Sequence, residues 1–306
     1  MFDVISIGAA TVDIFAKSHQ FLVKNNLLSL DYSSKSEISQ SLICSGGGAT
    51  NSSVCFSRLG LKSSCVSLIG DDKLKNFIID DLKTDHVPTD FLTLSKNDST
   101  DFSIILVAPD GGRSILTNRG QSRLEEKNIP WNKISKTKWL YITSLEGNID
   151  LLEKLIGFAL ENNIKIALNP GNRELNQQKL IFPLLKYVDF LLLNKTESEI
   201  LIENTKNKTE LFQKLTSTGA KIIAVTNGRE GAYVFFGDKQ YHSPIINTQS
   251  EDETGAGDSF GSAFVAALIY QKDVQQSLSW GIKNSASVVS FLGAKPGLLN
   301  LLEISH

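Results

Sequence analysis

Short, uninterrupted apolar runs alternate with longer amphipathic stretches along most of the chain. The runs are rich in β-branched residues and contain few polar positions, a pattern typical of strands that are buried on both faces of a sheet. The pattern predicts strands over residues 3–8, 64–69, 139–143, 165–169, 189–193, 221–226 and 232–236.

The stretches between these runs repeat apolar residues at helical spacing, which predicts amphipathic helices. The predicted helices cover residues 49–59, 74–84, 149–162, 197–203, 209–218, 258–270 and 274–292. Strands that alternate with helices over short connections indicate an α/β fold, in which helices flank a mostly parallel central sheet. Ligands of such sheets bind at the carboxyl ends of the strands.

Two segments, 16–45 and 99–118, interrupt this alternation. The second contains the turn sequence PDGG at 109–112 between two apolar runs, which predicts a β-hairpin. We expect the two segments to form a small β-sheet lid beside the main sheet. The sequence shows no internal repeat or linker, so residues 1–306 are predicted to form a single domain.

Composition and charge narrow the range of functions. The 306 residues carry a formal net charge of -2, which argues against a broad basic surface for nucleic acid. The three cysteines form no C-x-x-C pair, which argues against a disulfide framework or a zinc site. The amino terminus lacks a signal-peptide pattern and no apolar run approaches ~18 residues, so we expect a cytoplasmic protein with no membrane partner.

The stretch DETGAGDS at 252–259 carries the most chemical information in the chain. Its small residues allow a tight turn with exposed N–H groups, and the apolar helix that follows places them at a helix amino terminus, where anions bind. Asp258 lies in the same turn and is suited to take a proton from a hydroxyl that attacks phosphorus. An aspartate that simply caps the helix is the alternative.

Two further motifs predict a site for a polyol. Asp13 follows the first strand, where its carboxylate can accept hydrogen bonds from two hydroxyls, and an Asx-turn is the alternative. The run GGGATN at 46–51 opens a helix, and its glycines let backbone amides approach a ligand while Asn51 both donates and accepts. A flexible connection is the alternative for this run.

Two motifs near the carboxyl ends of later strands predict contacts with a nucleotide. Asn194 and Glu197, three residues apart at a helix start, can hold a hydrated Mg²⁺ and a phosphate. An ordinary helix cap is the alternative for this pair. The turn TNGREG at 226–231 can lie along a nucleotide, and a plain hairpin turn is the alternative.

Several well-known signatures are missing from the sequence. It contains no G-x-x-x-x-G-K-[ST] and no H-E-x-x-H, which excludes P-loop NTPases and zincin metalloproteases. Gly255, Gly257 and Gly261 come close to a Rossmann fingerprint. They precede two carboxyl-terminal helices rather than following an early strand, so a dehydrogenase is a poor fit.

Together these motifs resemble the ribokinase-like (PfkB) family of carbohydrate kinases over essentially the whole chain. GGGATN at 46–51 and DETGAGD at 252–258 match the two family signatures, and the pair at 194 and 197 and the turn at 226–231 match as well. The resemblance implies a three-layer α/β/α domain with a β-sheet lid over the acceptor. It also implies an ATP-dependent phosphotransferase that transfers the γ-phosphoryl group to a hydroxymethyl group of a small sugar.

The same resemblance implies roles for individual residues. Asp258 would be the general base, beside an anion hole formed by Gly255, Ala256 and Gly257. The implied sugar contacts are Asp13, Gly46, Gly47, Gly48, Asn51 and Glu146. The implied ATP contacts are Asn194, Thr226, Gly228, Gly231 and Asn284. The implied metal contacts are Glu197, for Mg²⁺ through water, and Asp252, where relatives often place a ligand of a monovalent cation such as K⁺.

Two other interpretations stay open beside the sugar kinase. The first is a nucleoside kinase of the same fold, for which the aromatic residues available to stack on a base are Phe15, Phe21, Tyr32 and Phe102. The second is a non-catalytic relative that binds a sugar or nucleotide, which the intact Asp258 and the Gly-Ala-Gly run oppose.

The sequence leaves the acceptor and the oligomeric state open. Arg113, Arg119 and Arg123 near the predicted lid are compatible with a phosphorylated or acidic sugar, although solvated surface arginines explain them equally well. The family resemblance implies a homodimer in which two lids pair, because an isolated small sheet needs cover for its second face.

Overall fold

The computed structural model describes residues 1–25, 27–110, 112–120, 123–202, 205 and 207–306. The turn predicted around residue 111 and the end of the helix predicted over 197–203 lie partly outside these residues. The described strands are, in chain order, β1 (Val4–Ile7), β2 (Thr11–Lys17), β3 (Leu22–Lys24), β4 (Leu27–Ser29), β5 (Gln40–Gly46), β6 (Ser63–Gly70), β7 (Leu92–Ser95), β8 (Phe102–Val107), β9 (Arg113–Asn118), β10 (Trp139–Ile142), β11 (Lys165–Leu168), β12 (Phe190–Asn194), β13 (Ile222–Thr226), β14 (Ala232–Phe236) and β15 (Lys239–Ser243).

The described α-helices are α1 (Gly48–Arg58), α2 (Lys75–Thr84), α3 (Trp131–Ile134), α4 (Ile149–Glu161), α5 (Asn172–Leu175), α6 (Gln178–Ile181), α7 (Lys195–Leu201), α8 (Lys208–Thr216), α9 (Ala256–Ile269), α10 (Val274–Val288) and α11 (Leu301–Ser305). The helix predicted over 274–292 is too long at its carboxyl end. The chain leaves α10 at Val288 and turns back, so that the Gly293 N–H donates to the Asp252 carboxylate at 3.0 Å.

Nine strands form the large sheet, in the order β15-β14-β13-β12-β11-β10-β1-β6-β7. Neighbouring strands from β13 to β7 run parallel, whereas β14 and β15 add to the sheet antiparallel. The predicted mostly parallel sheet is confirmed, and it contains every strand predicted for it. The edge strands β7 and β15 were not predicted, because their partly exposed sequences lack a continuous apolar run.

Side chains of the central strands alternate between the two faces of the large sheet. In β10, Trp139 and Tyr141 belong to an apolar core shared with α1, α2, α9 and α10. Leu140 and Ile142 belong to a second core, which is shared with α4 to α8 on the other face. The three-layer α/β/α architecture is therefore confirmed, and the continuous apolar runs arise because both faces of each strand are covered.

A second sheet of four strands has the order β5-β2-β8-β9. Its small core of Phe15, Ile105 and Val107 packs against Leu292 in the loop after α10. The predicted small sheet is confirmed, but it begins at Thr11 rather than at residue 16. The sequence is mostly apolar from residue 4 to residue 16, so the break between β1 and β2 leaves no gap in the hydrophobic pattern.

Two surface features complete the fold. Strands β3 and β4 pair with each other as a separate hairpin whose side chains are largely exposed. Within the described ranges, no helix has the length and apolar character that a membrane crossing requires.

Candidate active site

Two long helices begin at glycines instead of at side-chain caps. Gly47 precedes α1 with φ 88° and Gly255 precedes α9 with φ 78°, and neither position supplies a capping oxygen. By contrast, Asn148 and Asp273 cap α4 and α10 with side-chain oxygens. The Ala49 N–H donates to the Ala9 carbonyl at 3.1 Å and the Ala256 N–H to the Glu253 carbonyl at 3.3 Å. The other N–H groups at these two helix starts have no side-chain cap and can face a ligand, together with the positive end of each helix dipole.

The two glycines at the start of α9 have different physical reasons to be glycine. At Gly255, where φ is positive, an added Cβ would lie 2.3 Å from the Cβ of Ala294, so the tight turn excludes any side chain. At Gly257, an added Cβ would meet nothing within 4 Å. Gly257 is exposed, and the lack of a side chain leaves room for a phosphoryl group beside its backbone.

Asp258 lies in the first turn of α9 and is held from α1. The Asn51 Nδ2 group donates to Oδ2 of Asp258 at 2.8 Å, and within the described residues no donor lies within hydrogen-bond distance of Oδ1. Burial raises the pKa of the Asp258 carboxyl, and the charge of Asp13 adds to this effect. The Asn51 hydrogen bond and the ammonium of Lys295 act in the opposite direction. The site thus holds a carboxyl with one committed oxygen and a second that faces the open turn.

Asp13 lies in β2 of the small sheet and is 7% exposed. Its Oδ1 accepts a hydrogen bond from Thr11 Oγ1 at 3.3 Å, and burial raises the pKa of its carboxyl. A Cβ at Gly46 would lie 1.9 Å from Oδ2 of Asp13, so only glycine leaves room for this carboxylate. At Gly48, a Cβ would meet the side chain of Thr143 at 2.8 Å. The structure therefore brings Asp13 against the glycine run, as the sequence predicts.

Glu146 lies at the edge of this site in a loop with unusual geometry. Its φ is 58°, and its carboxylate forms ion pairs with Arg119, which follows β9, and with Arg173 at 3.0 Å. The loop is held by Glu174, which is 1% exposed and accepts the N–H groups of Leu145 and Gly147, both at 2.7 Å. A sugar that contacts Glu146 must therefore share this carboxylate with two arginines.

Asn194 and Thr226 lie side by side at the carboxyl ends of the parallel strands β12 and β13. The Asn194 side chain accepts the N–H of Glu197 and the Glu197 carboxylate accepts the N–H of Asn194, both at 2.8 Å. The structure thus shows the helix cap that was the alternative for Asn194 and Glu197. Only one carboxylate oxygen of Glu197 takes part in this cap. Burial, together with the charge of Asp258, raises the pKa of Glu197.

This arrangement fits a Mg²⁺ ion that is held mainly by phosphates and water. Mg²⁺ keeps several water ligands and needs only one or two carboxylates. Glu197 has one carboxylate oxygen that the cap does not use, and the charge of Asp258 raises the pKa of this carboxyl. In the described parts of the chain, no group of three or more histidine, cysteine, aspartate or glutamate side chains is placed to hold a metal on its own.

The segment from Asn227 to Gly231 is a tight turn between β13 and β14. The N–H of Asn227 donates to the Gly231 carbonyl at 2.8 Å. Gly231 has φ 87°, and a Cβ there would lie 2.0 Å from the Ser243 carbonyl oxygen. Gly228 faces open space. The plain hairpin turn is therefore present, and it leaves the backbone at Gly228 accessible beside Thr226.

The surroundings of Asp252 do not fit a monovalent cation. Asp252 is 2% exposed, and its Oδ1 accepts the N–H and hydroxyl of Thr254 at 3.0 and 2.7 Å. Its Oδ2 accepts the Gly293 N–H at 3.0 Å. The guanidinium of Arg113, in β9 of the small sheet, lies 3.6 Å from Oδ1. A cation at this carboxylate would compete with protein donors and with a fixed positive charge.

The family of the chain follows from its similarity to known proteins. A model of the pfkB family of carbohydrate kinases matches residues 1–299. The chain belongs to this family.

Individual relatives agree with this assignment. The fructosamine kinase FrlD of Bacillus subtilis is 28% identical, over 81% of this chain and 85% of its own. An Escherichia coli protein described as a ribokinase II, solved with ATP and Mg²⁺, matches with a TM-score of 0.84 at 19% identity, over 100% of this chain and 98% of its own. The adenosine kinase of Sinorhizobium meliloti matches with a TM-score of 0.82 at 20% identity, over 99% and 98%. The chain is thus a carbohydrate kinase of the pfkB family.

One predicted ATP contact of this pfkB kinase is wrong. Asn284 is 0% exposed, and its Nδ2 donates to the Ser259 carbonyl at 2.9 Å and to Cys55 Sγ at 3.2 Å. Its Oδ1 accepts the Leu299 N–H at 3.0 Å. Because every polar group of this side chain is used inside the protein, Asn284 joins α10 to α1 and α9 instead of facing a nucleotide.

Two residues near the active site of the kinase escaped the sequence analysis. Lys295 is 4% exposed, although its context, GAKPG, looks like an exposed loop. Glu174 is buried beneath the loop that carries Glu146. The partners of Lys295 lie in distant parts of the chain. Glu174 has one local partner, the Gly171 N–H at 2.9 Å, but its bonds to Leu145 and Gly147 appear only in the folded structure.

Proposed function

We propose that this protein transfers the γ-phosphoryl group of ATP to a hydroxymethyl group of a small sugar, with Asp258 as the general base. The observation that carries this proposal is the position of Asp258 beside the open amide of Gly257 at the start of α9. A buried carboxylate next to an anion site is unfavourable unless a proton acceptor is needed there. The Asn51 hydrogen bond to Oδ2 leaves Oδ1 for the acceptor hydroxyl.

In the proposed step, Oδ1 of Asp258 takes the proton of the acceptor hydroxyl while the new O–P bond forms. The bond between the γ-phosphorus and the bridging oxygen breaks, and ADP leaves with that oxygen. The amides of Gly255, Ala256 and Gly257 stabilise the charge on the transferred group, because the turn orients their N–H groups before the reaction starts. The Ala256 N–H, which donates to the Glu253 carbonyl at 3.3 Å, must share this bond with the phosphoryl group. When bound, Mg²⁺ neutralises charge on the phosphates, and Glu197 is the residue that would orient it through water.

The small sheet supplies the contacts that we assign to the acceptor. The carboxylate of Asp13 has acceptor sites for two hydroxyl hydrogens, and the backbone of Gly46 to Gly48 lies directly against it. Adjacent hydroxyls are the feature that sugars offer to such a carboxylate. The name of the fructosamine kinase relative makes an amino-substituted ketose a candidate acceptor, beside ribose and deoxyribose.

The experiment that tests the proposal measures ADP release with ATP, Mg²⁺ and a panel of pentoses, ketoses, fructosamines and nucleosides. A sugar kinase should turn over at least one sugar and show a product with a phosphorylated hydroxymethyl group. Turnover of nucleosides alone would favour the nucleoside kinase, and no turnover of any acceptor would favour a non-catalytic relative. We assign the reaction to the cytoplasm, where the free thiols of Cys44, Cys55 and Cys65 stay reduced.

The four aromatic residues that the sequence offers for stacking on a base give little support to a nucleoside kinase. Phe15 is 0% exposed and Phe21 is 5% exposed, so neither can stack on a base without unpacking. Tyr32 is 99% exposed and makes almost no contact with the protein. Phe102, which is partly buried at the start of β8, is the one of the four that keeps a free edge. A sugar therefore fits these side chains better than a nucleoside.

We propose that Arg113 replaces a monovalent cation at Asp252. Its guanidinium lies 3.6 Å from Asp252 Oδ1, so a positive charge is already present near the start of α9. The wild-type kinase should have the same kcat in KCl and in tetramethylammonium chloride. An Arg113→Met variant should become dependent on K⁺, and a wild-type enzyme that requires K⁺ would overturn the proposal.

We also propose that residues 1–306 form one domain whose small sheet is the lid, and that two copies pair through the outer face of this lid. One row of side chains across the four strands is apolar, namely Ile43, Ile14, Ile104 and Leu116. Ile43 and Leu116, on the two edge strands at the ends of this row, are 45% and 58% exposed. A second copy would cover this row.

Analytical ultracentrifugation tests the lid pairing. The wild-type protein should sediment as a dimer, and a variant with Ile43→Glu and Leu116→Glu should sediment as a monomer. Leu302→Glu is the matched control, because Leu302 is 74% exposed on α11, which is not part of the small sheet. A wild-type monomer at all concentrations, or a dimer that survives both lid substitutions, would contradict the proposal.

A further inference from the structure

Lys295 is a buried lysine that bonds only to neutral oxygens. Its Nζ donates to the Ser45 carbonyl, to Thr50 Oγ1 at 3.1 Å and to Asn51 Oδ1 at 2.7 Å. Among the described residues it has no carboxylate within ion-pair distance, although it is 4% exposed. An ammonium group buried in this way is costly unless each N–H finds an acceptor.

The three acceptors match the three donors of a protonated lysine. A neutral amine has only two N–H groups, so it would leave one of these buried oxygens without a donor. The acceptors belong to different parts of the site, because Ser45 lies in β5 of the small sheet whereas Thr50 and Asn51 lie in the first turn of α1. The charged form of Lys295 therefore ties the lid and the glycine-rich helix to the loop that follows α10.

The contact with Asn51 fixes the orientation of an amide that reaches Asp258. An ammonium only donates, so the oxygen of the Asn51 amide must face Lys295. The amide nitrogen then faces the opposite way and donates to Oδ2 of Asp258 at 2.8 Å. Without Lys295, the amide could rotate by half a turn and place its oxygen against the carboxylate, which would repel it.

We infer that Lys295 is a positioning residue for phosphoryl transfer: it orients the Asn51 amide, and through it holds the Asp258 carboxylate in its charged form with Oδ1 toward the acceptor. This inference rests on the proposed role of Asp258 as general base. It adds a residue outside both sequence signatures to the machinery of the reaction. Its charge also offsets the carboxylates that α9 and the small sheet bring together.

The charged and titratable groups that surround Lys295 come from four elements. They are Cys44 in β5, Asp81 in α2, Asp13 in β2 and Asp258 in α9. Burial lowers the pKa of Lys295, and these groups act in the opposite direction. Lys295 in turn lowers the pKa of Asp258 and of Asp13. Removal of the Lys295 charge should therefore raise the pKa of Asp258, because a nearby positive charge favours the ionised carboxylate.

The test compares Lys295→Met with wild type by two measurements. The first is a ¹³C-carboxyl NMR titration, in which Asp258→Asn assigns the Asp258 signal, and this measurement needs no substrate. The titration of Asp258 should move upward by about 1 pH unit in Lys295→Met. The second is the pH profile of kcat, whose acidic limb should move by the same amount, so that kcat on that limb falls about tenfold while the KM for ATP stays unchanged.

Three further variants separate positioning from a structural role. Lys295→Arg keeps the charge and should keep the acidic limb near its wild-type position. Lys283→Met removes a lysine of α10 that donates to the Ile304 carbonyl, and it should leave the limb unmoved. In the Asn51→Ala background, Lys295→Met should lower kcat less than it does in wild type, because the residue through which it acts is already missing.

Lys295→Gln provides a second neutral variant if the methionine variant does not fold. The unsubstituted protein provides a test as well, since Lys295 should appear in ¹⁵N NMR as a slowly exchanging ammonium group at the pH of catalysis. An Asp258 titration that is identical with and without the Lys295 charge, or a Lys295 that is neutral at that pH, would overturn the inference. A wild-type protein that transfers no phosphoryl group would instead overturn the proposed function. The NMR titration would then still decide whether the Lys295 charge affects the protonation of Asp258.

Discussion

Asp258 combines a burial that raises its pKa with a hydrogen bond that holds one of its two oxygens. A carboxylate with a raised pKa is a stronger base than one in water, as proton abstraction from an alcohol requires. Asp258→Asn keeps the size of the side chain and its contact with Asn51 but removes the proton acceptor. We expect kcat to fall by roughly 10²–10⁴ while ATP binding and the fold are retained.

Steady-state kinetics and a nucleotide-binding titration check this expectation. Glu253→Gln is the matched control, because Glu253 lies in the same segment but is exposed, and it should keep wild-type kcat. An Asp258→Asn variant that retains more than about a tenth of the wild-type kcat would rule out general-base catalysis by this residue.

Asp13 should control the affinity for the acceptor rather than the affinity for ATP. Asp13→Ala removes a carboxylate that lies against the glycine run, far along the chain from the nucleotide turn. Loss of charge-assisted hydrogen bonds costs about 1.5–3 kcal/mol each, which predicts a rise of roughly tenfold to a hundredfold in the acceptor KM. The KM for ATP should change little, and Asp31→Ala, an exposed aspartate of the same segment, should change neither constant. Equal weakening of both substrates would favour a purely structural role for Asp13.

At this scale, local motifs predicted some site residues and missed others for a physical reason. Asp258 directly follows the glycines of its motif, so its proposed role is visible within a few residues of sequence. The glycine against which Asp13 lies is Gly46, on another strand. Asn284 was assigned to ATP through the family resemblance, but the helix face that carries it is turned into the core. Lys295 acts through oxygens about 245 residues away in sequence, as its bond to Thr50 shows, and no local pattern encodes such a contact.

At the scale of elements, the large sheet was predictable and the small sheet only in part. Strands buried on both faces leave continuous apolar runs, and helices α1, α4 and α9 follow such runs with clear periodicity. Strand β2 follows β1 after three residues without a change in apolar character, so the pattern gives no sign that the chain leaves one sheet for another. Strand β15 was not predicted for a different reason: it lies at the sheet edge, and its sequence is too polar to show the apolar run of a buried strand.

The small sheet should open faster than the large one and should slow when an acceptor binds. Val12 of the small sheet packs in the main core, and ion pairs join Lys17 to Glu251 at 2.7 Å and Arg113 to Asp252 at 3.6 Å. The small sheet nevertheless has a core of three buried residues, whereas β12 is covered on both faces, so we expect opening of the small sheet to cost less than unfolding of β12. Hydrogen exchange of β2, β5, β8 and β9 should therefore be faster than that of β12 in the free protein.

The same exchange experiment with a bound acceptor completes the test. Protection of the small sheet should rise with the acceptor, because Asp13 and Gly46 then bridge the lid to a ligand on the main body. Exchange of α8, which is remote from the small sheet, should stay the same. A small sheet that is as protected as β12 without a ligand, and unchanged by any active acceptor, would contradict its role as a lid.

For the whole molecule, the active site should reduce stability as the pH rises. The pKa of Asp258 is raised above its ordinary value of 3.8 in the folded protein. Between the unfolded and the folded pKa, the folded state keeps a proton that the unfolded state has released, so the free energy of unfolding falls with pH across this window. Above the folded pKa the loss is complete. Asp258→Asn should therefore be more stable than wild type, and its advantage should be larger at pH 8 than at pH 4.

Urea unfolding of both proteins at the two pH values measures this difference. Asp238→Asn is the control, because Asp238 is exposed in the turn between β14 and β15 and its replacement should give the same difference at both pH values. Asp13 and Glu197 also have raised pKa values, so the wild-type protein should lose stability over the same window even without the substitution. An advantage of Asp258→Asn that is independent of pH would show that its carboxylate is not disfavoured by the fold.

Asp13 is carried by the small sheet, whereas Asp258 is carried by α9 on the main body. In the proposed mechanism, this division would separate the choice of substrate from the reaction. Changes in β2, β5, β8 and β9 would then alter the molecule that is accepted and leave untouched the helix proposed for phosphoryl transfer. New acceptors can thus arise by gradual replacement of surface strands, without a non-functional intermediate. A chimera that receives these four strands from a relative should inherit the preference of its donor.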